Sequence, residues 1–160
     1  MSRSIYIIEP HPAVRESFFF LVGPLANLTI AGSASSYERA APELSAVCPD
    51  IVLMGLAGAN DAPIRALRTA CPGAQILVAS AFQTGLTPSV AQKAGADVCV
   101  SRAHGAPSLL PSLRKLVDRL EARASVRRVD AQVSAVEPRP LRPRGPLDAQ
   151  TIAQAVPRLD

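Results

Sequence analysis

Five times in about its first 120 residues the chain alternates between a short apolar run rich in β-branched residues and a longer stretch with helical spacing. The short runs are Ser4–Glu9 (SIYIIE), Leu28–Ser33 (LTIAGS), Asp50–Met54 (DIVLM), Gln75–Ala79 (QILVA) and Asp97–Ser101 (DVCVS). Each reads as a strand. Between them, Pro12–Val22 begins a stretch in which Val14, Phe18, Leu21 and Leu25 recur at helical intervals. Ser36–Val47 reads as a helix with Ser35 or Ser36 as its N-cap and Glu38 in the first turn. Asp61–Cys71 ends at Pro72-Gly73, and Thr87–Ala94 closes on Gly95, a residue suited to a left-handed cap. Pro107–Arg123 is the last helix.

The third run is almost continuously apolar, as expected of a strand covered on both faces. Five β/α units with short loops predict a parallel sheet with helices on both sides. Right-handed crossovers leave a flavodoxin-like doubly wound α/β fold, strand order 2-1-3-4-5, as the leading topology. In that architecture the functional crevice lies at the carboxyl ends of the strands. Here those ends are Glu9–His11, Gly55–Gly58, Ser80–Ala81 and Ser101–Arg102.

With 48% hydrophobic residues the chain has the material for a packed core. Aromatics make up 4% and tryptophan is absent, so a base-stacking surface has little to build on. The formal net charge of +4 tolerates acidic partners without naming one. Cys48, Cys71 and Cys99 lack CxxC spacing, so neither a disulfide framework nor a zinc site is expected, and a reducing cytosol is the natural compartment. Cys48 and Cys71 each precede a proline at a helix end and read as small buried packing residues. No apolar h-region opens the chain and no apolar stretch of about 18 residues occurs, so a soluble, cytoplasmic protein with no membrane association is expected.

After Arg123 the composition changes. The domain boundary is placed there, with residues 1–123 as the folded domain and 124–160 as a tail. Pro138, Pro140, Pro143, Pro146 and Pro157 favour extended, solvated chain, so the tail is expected to be disordered, with Asp148–Val156 a marginal helix. Arg127, Arg128 and the run Pro138–Gly145 (PRPLRPRG) offer a basic route to nucleic acid, diluted by neighbouring acids.

The folded part resembles a bacterial two-component receiver domain, of the type attached to helix-turn-helix transcription regulators. IIEPHPAVRESF is similar to the family's VDDHPLVREGL, and CPDIVLMGLAG to its PDVVLMDLxMPG. APIRALRTACPGAQILVASAF follows the third-helix and fourth-strand pattern, and AQKAGADVCVSR follows ALxAGADGYLLK. The resemblance implies a phosphorylation pocket, and the residues here depart from it. The phosphoacceptor aspartate is replaced by Gly55, which has no nucleophile. The acidic pair that helps hold Mg²⁺ is Glu9 and Pro10, a poor donor set for an octahedral cation. The lysine after the fifth strand is Arg102, the switch hydroxyl survives as Ser80, the switch aromatic is Cys99, and the loop Met-Pro is Gly58-Ala59. The expected reading is a degenerate pseudo-receiver: not an enzyme, without metal or cofactor, with Arg102 standing in for the cation beside Glu9.

Other candidates read as ordinary structure. His11 leads into the first helix. Asp50 lies at the wrong end of its strand to replace the phosphoacceptor, and Asp61 favours a helix N-terminus. Ser80 has no His/Asp partners for a hydrolase triad, and GLAGAN is not a phosphate-binding loop. Phe18, Phe19 and Phe20 succeed one another at about 100° intervals around the first helix, so they cannot all be core. An exposed Phe19/Phe20 pair would suit a protein contact; the alternative is that one of them tucks under a neighbouring element. In the family, the first helix docks histidine kinases and phosphotransfer proteins. Partners expected here are such a kinase or phosphotransfer protein, or another regulator. A homodimer is a further possibility, through the fourth-helix, fifth-strand and fifth-helix face, which carries Arg114, Lys115, Asp118 and Arg119. The reading from a different class is a DNA-associated transcription regulator using dimerisation and the basic tail.

Overall fold

The protein is described from a computed structural model covering residues 2–81 and 85–134. In chain order the elements are β1 (Arg3–Ile8), α1 (Pro12–Val22), β2 (Leu28–Ala34), α2 (Tyr37–Val47), β3 (Ile51–Leu56), α3 (Ala62–Ala70), β4 (Gln75–Ser80), α4 (Pro88–Ala94), β5 (Val98–Ser101) and α5 (Ala106–Ser134). All neighbouring strands pair in parallel, in the order β2-β1-β3-β4-β5. The doubly wound sheet expected from the alternation is the sheet observed.

The period-2 pattern of the strands divides the interior into two layers. Tyr6, Ile8, Val52, Met54, Ile76 and Val78 face one side, where Ala40 and Leu44 of α2, Ile64 and Leu67 of α3 and Ala91 of α4 cover them. Ile5, Ile7, Ile51, Leu53, Leu77 and Ala79 face the other, under Phe18 and Val22 of α1 and Leu109, Leu113 and Leu116 of α5. Strands β3 and β4 are buried along nearly their whole length, which is why they read as unbroken apolar runs.

Local chemistry sets the ends. Ser36 caps α2 by accepting the Arg39 amide at 3.4 Å, and Thr87 caps α4 by accepting that of Val90 at 3.3 Å. Gly95 ends α4 at φ 121°, where a Cβ would also stand 2.9 Å from Arg68 Cβ. Arg68 donates to the carbonyls of Gly95 (2.8 Å) and Ala74 (2.8 Å) and to Asp97 Oδ2 (2.6 Å), tying the end of α3 to the turns before β4 and β5.

Two expectations change. The last helix does not end near Arg123 but continues to Ser134, because ASVRRVDAQVS contains no proline or glycine; the proline-dense composition begins only at Pro138. Cys48 is not a buried packing residue: it is exposed and caps α2 in the left-handed region at φ 46°, whereas Cys71 is buried as expected. The chain divides into two units between Ser125 and Val126. The expected disorder of 135–160, the marginal helix Asp148–Val156 and the basic run Pro138–Gly145 lie outside the described residues. Among the described residues no helix is long and apolar enough to cross a membrane.

Arg68→Ala removes the donors that hold the Gly95, Ala74 and Pro72 carbonyls and the Asp97 carboxylate together. Hydrogen bonds involving charged groups contribute about 1.5–3 kcal/mol, so a urea or thermal melt should show destabilisation of that order. An unchanged midpoint would mean that the turns before β4 and β5 hold themselves.

Candidate functional site

The carboxyl ends of β1, β3, β4 and β5 converge as the topology requires, and they bring Glu9, Gly55, Ser80 and Arg102 to one end of the sheet. Glu9 follows β1 directly and its amide still pairs with the Ala34 carbonyl, at 3.0 Å. Its side chain points into the protein and is 0% exposed. Glu9 Oε1 accepts the His11 amide at 3.0 Å and Arg102 Nη2 at 3.4 Å. The Arg102 side chain, anchored just after β5, is 19% exposed, so the pair is largely withdrawn from water. Arg15 of α1 donates from Nη1 to the Glu9 carbonyl at 2.7 Å.

Gly55 and Glu9 share one volume. A Cβ built on Gly55 would lie 1.7 Å from Glu9 Oε2 and 2.8 Å from its Cδ. No real atoms approach so closely, so Glu9 occupies the space into which any side chain at position 55 would project. The absence of a side chain at 55 and the inward course of Glu9 are one packing solution. Among the described residues, Glu9 Oε2 and the buried Ser80 Oγ have no hydrogen-bond partner. Pro10 is exposed and brings no donor atom to the pocket.

The donor set does not fit the divalent cation that a receiver-type pocket would imply. One carboxylate is present, and one of its oxygens is already engaged by an amide and a guanidinium. Mg²⁺ asks for several oxygens in near-octahedral array. Among the described residues, no cluster of three or more His, Cys, Asp or Glu side chains could hold a metal. Asp50 and Asp61 do not supply a substitute. Asp50 takes the Ser4 amide at 2.9 Å and Arg3 at 3.2 Å, and Asp61 pairs with Arg65 at 2.9 Å. Cys99, half-buried on β5, packs against the core, and burial pushes its thiol up to about 11.

The surface residues are distributed differently from expectation. Phe18 is core, Phe19 packs against the same cluster, and Phe20 stands 75% exposed. Of the expected pair, Phe20 alone is exposed. On α5, Arg114 and Asp118 border a cleft with Leu25–Leu28, on the side of α1 and β2. They do not belong with Lys115 and Arg119, although all four are exposed. Successive residues turn by 100°, so Arg114 and Lys115 fall on opposite flanks of the buried stripe formed by Leu109, Leu113, Leu116 and Val117. Arg15 was not singled out from sequence. Its signal is its place on the first turns of the helix that follows Glu9.

No protein-family model matches the chain, and no curated protein matches it. Solved structures do match in fold. A two-component response regulator of the LuxR family from Aurantimonas sp. superposes with a TM-score of 0.66 at 22% identity, over 74% of this chain and 86% of that one. The signal receiver domain of the response regulator NarL from Mycobacterium tuberculosis gives 0.61 at 16% identity, over 71% and 94%. The isolated receiver domain of RcsB from Salmonella enterica serovar Typhimurium, determined with the phosphomimetic BeF3−, gives 0.63 at 16% identity, over 74% and 90%. The fold is that of response-regulator receiver domains.

The shared volume of Glu9 and Gly55 is measurable as a coupling. Gly55→Ala should cost about 1–3 kcal/mol, as overpacking does, and markedly less in a Glu9→Ala background, where of the three nearest atoms Glu9 Cβ at 3.6 Å remains. Equal costs in the two backgrounds, read from urea denaturation, would show that the two positions do not compete for space.

Proposed function

We propose that this chain is a pseudo-receiver: a receiver-fold binding module that takes up no phosphoryl group and regulates signalling or transcription through protein–protein contact. The observation that carries this reading is Glu9 lying where a side chain at position 55 would go, held by the Arg102 guanidinium and the His11 amide. A receiver signals by changing charge at that place. Here a fixed carboxylate already sits there, its charge offset by arginine, and Gly55 offers no oxygen to phosphorylate. Among the described residues no group hydrogen-bonds the buried Ser80 Oγ, so nothing there activates it to replace the missing nucleophile.

With no covalent input, the module acts through its surface. Phe20 on α1 is the strongest anchor available, since exposed aromatics contribute disproportionately to interfaces. It suits a histidine kinase, a phosphotransfer protein or another regulator. Lys115 and Arg119, on the flank of α5 away from α1, suit a weaker and salt-sensitive self-association.

The direct test is incubation with acetyl phosphate and Mg²⁺ followed by intact mass measurement. No change in mass is expected, and a stable gain of one phosphoryl group would overturn the reading. Once a partner is in hand, Phe20→Ala should weaken its capture at least about tenfold, or roughly 1.4 kcal/mol, with the circular dichroism spectrum unchanged. Undiminished capture by the folded variant would move the contact off α1.

A further inference from the structure

A second site stands at the opposite end of the sheet, independent of the pocket around Glu9. Cys48 precedes β3 and Cys71 precedes β4, so parallel pairing of the two strands brings both cysteines to the amino-terminal edge. They line one cleft of about 290 Å³, together with Pro49, Asp50, Pro72 and Gly73. Each ends a helix: Cys48 caps α2 and Cys71 caps α3, and both are followed by proline. The conformation of Cys48 is the second observation. It is the one non-glycine residue with positive φ among the described residues, at 46°, and it stands directly before a proline. Glycine or asparagine is the usual occupant of a left-handed helix cap. A side chain held there against about 1–3 kcal/mol of backbone strain marks a candidate functional position.

The two thiols differ in a way that gives them different roles. Cys48 is exposed, with Sγ donating only to the Ser45 carbonyl at 3.5 Å. Cys71 is 7% exposed and sits at the rim of the core. Burial, and then the charge of Cys48 nearby, push its thiol up, opposed by Arg68. The exposed sulfur is the one a soluble oxidant reaches first, and the recessed one lines the same cleft. Asp50, the acidic group in the cleft, is engaged by Ser4 and Arg3. Cys99 lies on β5, outside this cleft.

We propose that Cys48 and Cys71 form a thiol–disulfide modification site, oxidised by a small disulfide such as oxidised glutathione. The Cys48 thiolate attacks one sulfur of the oxidant, breaking its S–S bond, forming a Cys48–glutathione mixed disulfide and releasing one glutathione thiolate. Cys71 then gives up its proton and attacks Cys48 Sγ, closing the Cys48–Cys71 bond and releasing the second glutathione. The protein loses two hydrogens and the oxidant becomes two thiols. The product joins the carboxyl ends of α2 and α3.

The test uses the full, reduced chain under native conditions with oxidised glutathione, followed by alkylation, intact mass and peptide mapping. The expected product has lost two hydrogens, links the Cys48 and Cys71 peptides, and leaves Cys99 open to alkylation. Cys71→Ser should stall with one glutathionyl group on Cys48, and Cys48→Ser should acquire none. Wild-type chain that halts at the mixed disulfide, links Cys48 to Cys99, dimerises through Cys48 or does not react would overturn the proposal. Because the wild-type map alone decides the pairing, a variant that misfolds leaves the result intact.

Discussion

Strands β1, β3 and β4 are apolar on both faces, and a parallel sheet of that kind exists only while helices cover it from both sides. That double burial governs where polar chemistry can occur. Within the strands, buried side chains are as a rule apolar or hydrogen-bonded. Polar groups become affordable only where the strands stop and loops and helix termini supply partners. The polar groups of the Glu9 pocket and the two helix-ending cysteines lie at such strand ends. Glu9, Ser80 and Arg102 cluster at the carboxyl ends of the strands, and Cys48 and Cys71 stand at the amino-terminal edge of β3 and β4.

The Glu9 pocket shows how a charge survives at such a boundary. A carboxylate withdrawn from water is costly unless it is paired and hydrogen-bonded. Arg102 and the His11 amide satisfy one oxygen, while Oε2 lies over the bare backbone of Gly55. The pairing depends on the fold at long range, since 93 residues separate the two partners. It also depends on glycine, because any β-carbon at position 55 would displace the carboxylate. Fold, charge pair and missing side chain are mutually conditional.

That dependence explains what was legible in the sequence. The alternation of apolar runs gave the strands and helices because burial on two faces leaves a periodic trace. The replacement of an acid by Gly55 was also visible, as was Arg102 as the cation beside Glu9. What could not be read was that Glu9 fills the space Gly55 vacates, since the two are far apart in sequence and the relation is one of volume. The same limit applies to Phe19, whose packing under neighbouring elements is not encoded in its angle around α1. The continuation of α5 to Ser134 was missed for a different reason. Prolines from Pro138 onward coloured the reading of a preceding segment that contains none.

On the proposed reading, charge bookkeeping in the pocket decides how the module can respond to its surroundings. A receiver-type pocket with three carboxylates and one lysine carries excess negative charge and so calls for a divalent cation, which in turn draws a phosphoryl donor. Here one carboxylate meets the Arg102 guanidinium, with the Arg15 guanidinium on the Glu9 carbonyl, so no excess negative charge is left for an ion to offset. A pocket without excess negative charge exerts little pull on a cation. Such a protein changes state only through what reaches its outside: a partner seated on α1, or chemistry at the exposed cap of α2. The loss of two carboxylates therefore relocates sensitivity from the interior of the sheet to its surface.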